Sequence, residues 1–179
     1  MANLPVPFPV TEAPGQLITG ALWNTQIRDS LNFLLNPPVA VIQATGAQSI
    51  PNNAYTAITL GSTVVDSYGG FNAANSSYKA PVSGFYLCTG AIPYVSNTTG
   101  TRNCMMKVNG STNPANGTLI AAAAVGGGTR TMTTVTDLVY LNTNDYVQLY
   151  GAQSSGGALN TDYTASVVVA SLQVMWIHV

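Results

Sequence analysis

An all-β sandwich or barrel of the jelly-roll type, preceded by an extended Pro-rich arm and one short amphipathic helix, is the fold class that three features of this sequence predict. From Val39 onward, short β-branched and aromatic runs alternate with clusters of turn-forming residues. Only one segment carries helical periodicity, at about residues 20–35. Ahead of it, residues 1–15 are rich in proline. A length of 179 residues allows one well-buried core with a short appendage. The division expected is an arm-and-helix part, residues 1–38, and a β domain, residues 39–179.

In chain order, the arm comes first. Pro5, Pro7 and Pro9 each remove a backbone donor and keep the preceding residue out of the helical region, so this stretch is extended. In the helix, Trp23, Ile27, Leu31, Leu34 and Leu35 recur at spacings of four, four, three and one, which gathers them into one apolar stripe. Thr19 is placed to cap the N-terminus, and Asn36-Pro37-Pro38 ends the run. At ~1.5 Å per residue the helix is roughly 24 Å long. A helix of that length is marginal alone in water. Its stripe must pack on the β domain, on symmetry mates or on a neighbouring protein, and these five residues are the candidate docking set.

The strands expected are Val39–Thr45, Ala54–Leu60, Ser77–Ala80, Gly84–Tyr94, Arg102–Val108, Thr118–Val125, Thr131–Leu141, Asp145–Ala152 and Ala165–Val179. Between them stand Pro51-Asn52-Asn53, Tyr68-Gly69-Gly70, Asn97-Thr98-Thr99-Gly100, Asn109-Gly110, Gly126-Gly127-Gly128, Asn142-Thr143-Asn144 and Ser154-Ser155-Gly156-Gly157. These residues tolerate positive φ or form side-chain turns. About nine strands at this spacing without a second helix indicate a sandwich or barrel. Around Asp145–Tyr150, Val147 and Leu149 fall on one face and Tyr146, Gln148 and Tyr150 on the other. The final run, ASVVVASLQVMWIHV, is apolar on both faces, as in a strand between two layers or under a subunit interface. An interface is the economical reading for so small a domain. Tyr146, Gln148, Tyr150, Val174 and Trp176 are the candidate interface residues.

Composition narrows the function. The chain is 46% hydrophobic but only 6% charged, where roughly 25% is usual. Asn, Thr, Ser, Gln and Gly supply the polarity. Such neutral groups cost little to desolvate when copies pack together, whereas buried charges need partners. The net charge is −1, and Arg28, Lys79, Arg102, Lys107 and Arg130 form no run, so no basic stripe is available for nucleic acid. No segment reaches the ~18–20 apolar residues of a spanning helix. The N-terminus lacks a basic n-region, so no signal peptide is read there, and cytoplasmic synthesis is expected. In a reducing compartment Cys88 and Cys104 are buried free thiols, with a disulfide between neighbouring strands as the alternative.

No catalytic constellation emerges. His178 is the single histidine, and two cysteines sixteen residues apart do not complete a zinc site. Asp66, Asp137, Asp145 and Asp162 are placed near turns, where Asp bonds its own backbone; a calcium site or a glycosidase carboxylate pair built from them is the minor alternative. The Gly126–Gly128 run lacks the Lys-Ser/Thr of a phosphate loop and reads as a hairpin turn. No cofactor or metal is expected. Tyr68, Tyr94 and Tyr163 lie beside loops and are candidate glycan contacts by ring stacking, with ordinary core packing as the alternative.

The segment Tyr78-Lys79-Ala80-Pro81-Val82-Ser83-Gly84-Phe85-Tyr86 resembles the aromatic-x-Ala-Pro-x-x-Gly-x-Tyr signature of the complement and tumour-necrosis-factor jelly-roll superfamily. Leu141-Asn142-Thr143-Asn144-Asp145-Tyr146-Val147-Gln148-Leu149 resembles its Leu-x-x-Gly-Asp-x-Val-x-Leu element, with Asn144 in place of Gly. The family's closing Phe-Ser-Gly pattern is replaced by Ala170-Ser171-Leu172. The resemblance covers about residues 40–179 and implies a ten-strand jelly-roll that trimerises about a three-fold axis. The segment Gly20–Asn32, with its Leu22-Trp23-Asn24-Thr25 and Arg28-Asp29-Ser30-Leu31-Asn32, is similar to the helix that precedes complement-like domains in actinobacterial phage minor tail and virion structural proteins. That resemblance implies a non-enzymatic virion part, made in the host cytoplasm, with itself and other capsid or tail proteins as partners. The alternative is a receptor-binding knob for a host cell-surface glycan. Nucleic acid and membrane are not expected partners.

Overall fold

A computed structural model describes residues 7, 10–123, 129–164 and 167–178. The Gly126–Gly128 turn, the ends of two expected strands (Ala124-Val125 and Ala165) and most of the Pro-rich arm lie outside the described residues.

The helix forms where its periodicity places it, as three consecutive pieces: α-helical Gly20–Trp23, a π-helical turn Asn24–Arg28, and α-helical Asp29–Leu35. Thr19 caps it, its side-chain oxygen accepting from the Leu22 N–H at 3.1 Å. Asn36 and Pro37-Pro38 end it, and β1 (Val39–Gln43) follows directly.

The remaining strands are β2 (Ser49–Ile50), β3 (Thr56–Ala57), β4 (Ser62–Asp66), β5 (Phe71–Asn72), β6 (Ser77–Lys79), β7 (Gly84–Tyr94), β8 (Thr101–Val108), β9 (Leu119–Ala123), β10 (Thr131–Leu141), β11 (Tyr146–Gln153), β12 (Leu159–Asn160) and β13 (Ser171–His178). They build two facing sheets. One runs β10-β7-β13-β1-β4; the other runs β5-β6-β11-β8-β9, with β3 added to β11, and β12 pairs with β2 in a small ribbon. All strand pairings are antiparallel. Sequence-distant strands such as β1, β7 and β13 lie side by side, which is the jelly-roll crossover.

β7 and β10 begin and end where the sequence predicts, and they pair without a slip from Thr131↔Tyr94 to Leu141↔Gly84. β4 was not expected, because Ser62-Thr63 and Asp66 dilute its apolar signal and its pairing to β1 is bulged. The last strand is shorter than expected. It starts at Ser171, and Val167-Val168 instead form a turn bonded back to Thr164.

Strand alternation fills the core. Ile42, Tyr86, Cys88, Ile92, Val135, Leu172 and Val174 point inward from the first sheet, and Tyr78, Cys104, Met106, Val147 and Leu149 from the second. Gly90 lets the layers meet, since a Cβ there would lie 2.3 Å from the Leu149 Cδ1. A buried cation ties down one loop end. The Arg102 guanidinium, without solvent exposure, donates to the Asn97, Thr99 and Thr101 carbonyls and ties down the β7–β8 loop. Cys88 and Cys104 are buried free thiols.

Candidate functional site

Three surfaces stand out once the core is accounted for. The first is the outer face of the β10-β7-β13-β1 layer. Alternation places Met132, Leu138 and Tyr140 of β10, Leu87 of β7, and Met175 and Ile177 of β13 outward, and all six are exposed. Phe85, Val39 and Val41 lie half-buried on the same side. The polar residues among them are neutral, such as Thr89, Thr134 and Gln173; Asp137, the acid of β10, falls on the inward side of the alternation. Phe85 meets Tyr140 edge-on at 5.2 Å. A shallow groove of about 120 Å³ crosses the face between Val41, Leu87, Thr89 and Met175. A neutral apolar face of this extent is costly to leave in water and costs little to bury against another such face.

This face corrects the interface expectation for the last strand. Val174 and Trp176 point inward and belong to the protomer's own core, so a second copy cannot reach them. Their neighbours Met175 and Ile177 are the outward residues. Tyr146, Gln148 and Tyr150 do share one face, as the alternation indicates, but it is the outer face of the opposite sheet. There Gln148 is itself buried, its side-chain amide donating to the Asn75 carbonyl at 2.7 Å. Tyr150 carries the Lys107 ammonium 4.4 Å from its ring centre, and the same ammonium lies 5.8 Å from the Tyr55 ring centre. That cation–π stack covers the lysine's apolar stem.

The second surface is the helix. Trp23, Ile27, Leu31, Leu34 and Leu35 are all exposed, from 42% for Ile27 to 77% for Leu35. The helix is held to the β domain by a residue outside that stripe. Phe33 is its buried side chain, set edge-on against Trp176 at 5.0 Å and Tyr68 at 5.8 Å. The arm folds back on the other end, where the Gln26 side chain accepts from the Val10 N–H and donates to Glu12.

The third surface is an open groove of about 330 Å³ beside β5, β6 and the start of β11. It lies on the outer face of the second sheet, away from the apolar face.

Two of the expected glycan tyrosines are structural. Tyr94 has no exposure, and its hydroxyl lies against the Asn103 and Ala152 carbonyls at 2.9 and 3.2 Å. Tyr68 is buried beneath the helix, and its hydroxyl donates to the Asn36 carbonyl. Burial holds Tyr94, Tyr78 and Tyr86 well above the ordinary phenol range. Tyr163 alone of the three is half-buried at a loop.

The acids organise backbone. Asp66 accepts from the Gly70 and Phe71 N–H groups, and Asp145 from Asn142 and the Asn109 amide. Asp137 accepts from the Asn116 amide, and Asp162 pairs with Arg130 at 2.9 Å. Among the described residues no three His, Cys, Asp or Glu side chains converge as metal ligands.

No family model matches the sequence. A curated relative, an uncharacterized protein of Acanthamoeba polyphaga mimivirus, is 32% identical over 152 residues, 82% of this chain. The chain spans 62% of that relative's length. Among solved structures, Eiger TNF from S. frugiperda matches at 9% identity with a TM-score of 0.58, over 78% of this chain and 93% of its own. The globular domain of zebrafish complement 1qA matches at 10% and 0.54, over 79% and 98%. Murine APRIL matches at 11% and 0.56, over 77% and 98%. Sheet order, register and these likenesses together show that the β domain has the jelly-roll fold of the complement and tumour-necrosis-factor domains.

Proposed function

We propose that this chain is a non-enzymatic structural protein of a phage particle: a homotrimeric surface appendage, on the capsid as a decoration or at the tail as a minor or tip protein, anchored by its N-terminal arm and helix. The observation that carries this reading is the pair of uncharged, exposed apolar surfaces. The outer face of the β10-β7-β13-β1 layer exposes Met132, Leu138, Tyr140, Leu87, Met175 and Ile177 together, and a second and third copy supply the same neutral chemistry to cover them. The helix stripe is exposed, while Phe33 and the Tyr68–Asn36 hydrogen bond hold the helix to the β domain, and the stripe can seat on a neighbouring virion protein. The viral relative is in keeping with a virion role.

Sedimentation of the full chain at micromolar concentration tests the assembly. A trimer is expected, and Leu87→Asp with Met175→Asp converts it to folded monomers by burying unpaired charge. A wild-type monomer overturns the trimer. Chains lacking residues 1–38 are expected to keep the β fold and to be lost from particles; unchanged incorporation overturns the anchoring role. The second reading, a knob that binds a host cell-surface glycan, is favoured by the open groove on the opposite sheet.

A further inference from the structure

The groove beside β5, β6 and β11 has a lining that differs from the rest of the surface. Its floor is set by strand register: Lys79 lies directly across from Tyr146, and Ser77 across from Asn72, so these side chains share the outward face. One wall is the Asp66–Phe71 loop. The Asp66 carboxylate clamps it by accepting from the Gly70 and Phe71 N–H groups at 3.0 and 2.9 Å, and the Lys79 N–H donates to the Gly70 carbonyl. Gly70 cannot be replaced there, because a Cβ would lie 2.5 Å from the Tyr78 ring. The other wall is the turn at Ala73–Asn75, held by Gln148 donating to the Asn75 carbonyl and by the Asn72 side-chain oxygen accepting from the Ala74 N–H.

These internal bonds consume the acceptors. The Asn72 oxygen is taken by Ala74, and the Asn75 oxygen by the Ser77 hydroxyl at 2.7 Å. The amide N–H groups of Asn72 and Asn75, the Lys79 ammonium and the Tyr146 hydroxyl have no hydrogen-bond or ion-pair partner among the described residues. No carboxylate side chain lines the groove. Tyr146 adds half-buried aromatic surface, whereas the Phe71 ring, across from Tyr78, packs toward the core. The cleft is thus rigid, donor-rich and singly cationic, with the Tyr146 ring at one side, and its volume is at the lower end for small-molecule sites.

From this arrangement we infer that the groove is a binding site for a carboxylate-bearing sugar, a uronic acid or a nonulosonic acid unit of a surface glycan. The lysine takes the carboxylate, the two amides donate to ring or hydroxyl oxygens, and the Tyr146 ring covers a C–H face of the sugar. The site lies on the sheet opposite the proposed trimer face and stays open when that face is covered. Binding is a property of the free β domain, so it stands or fails apart from the virion assignment.

Titration calorimetry of the full chain tests it, with glucuronic acid-terminated and N-acetylneuraminic acid-terminated oligosaccharides, their neutral parent sugars and inorganic phosphate as probes. At least one carboxylated probe is expected to bind, and its neutral parent roughly tenfold or more weaker. Lys79→Gln is expected to weaken it by roughly tenfold with an unchanged melting temperature, Lys79 being exposed, and Tyr146→Ala to weaken it similarly in a protein that remains folded. Equal binding of the neutral sugars overturns the carboxylate recognition, and equal binding of phosphate reduces the groove to a simple anion site. No binding of any probe at millimolar concentration, or full binding by Lys79→Gln, overturns the proposal.

Discussion

Replacing Phe33 by alanine separates the helix from the β domain. Phe33 is the buried residue of the helix, and it reaches the sandwich through two edge-on ring contacts, to Trp176 and Tyr68. Truncating a buried phenylalanine costs about 3–5 kcal/mol, and aromatic edge contacts contribute roughly 0.5–1.5 kcal/mol of that each. The sandwich loses little, since Trp176 and Tyr68 keep their places at its end. The loss falls on docking. A loss of about 3 kcal/mol raises the undocked fraction by roughly a hundredfold or more, and a helix this short does not persist undocked. The chain has two tryptophans, so a Trp23→Phe background leaves Trp176, which meets Phe33 edge-on, as the sole tryptophan under tryptophan-selective excitation. In that background Phe33→Ala is expected to shift Trp176 emission to the red and to abolish amide protection over residues 20–35. The main melting transition of the sandwich is expected to change little. Unchanged Trp176 emission and unchanged helix protection would refute the assignment of Phe33 as the anchor.

Other outcomes follow from the same geometry. The Asn109 amide and the Asn142 backbone and side chain hold the Asp145 carboxyl below its ordinary value of 3.8. Its contribution to stability is therefore present above that value and is lost as pH falls through the folded one. Urea midpoints measured from pH 6 downward should show Asp145→Asn with a flatter acid limb than wild type, by a small amount because the group is largely exposed. Burial pushes the Cys88 and Cys104 thiols up to about 12. Both should resist alkylation at pH 8 in the native protein and react together in urea; fast native labelling of either would contradict their placement in the core. Gly90→Ala puts a methyl against Leu149 and should destabilise by about 1–3 kcal/mol. The cost should fall in a Leu149→Ala background, and a double-mutant cycle with no coupling would show that the two side chains do not meet.

Much of this architecture is local chemistry. Thr19, the apolar stripe and Pro37-Pro38 state the helix and its ends, and the alternation of Val147 and Leu149 with Tyr146, Gln148 and Tyr150 states a strand with one apolar face. The Asn-Gly and Asn-Thr-Asn turns mark the strand ends, with Asn109 and Asn144 at positive φ. Four short strands, β2, β4, β5 and β12, carry no such signal. A two-residue strand has no period to read, and in β4 a bulge breaks the alternation.

The class of the molecule is legible in the sequence alone: a β sandwich preceded by one capped helix, and nearly uncharged. Which face of each strand looks inward was left to the tertiary structure. In β13, Leu172-Val174-Trp176 and Met175-Ile177 are both apolar, and alternation alone divides them without saying which set is the core. Only the second sheet, packed against one set, decides it. The same holds for Tyr68 and Tyr94, loop-flanking residues in sequence that the fold turns into buried packing. The donor-rich groove depends on pairing Lys79 with Tyr146 across distant parts of the chain, a juxtaposition that non-local strand register creates and no local pattern encodes.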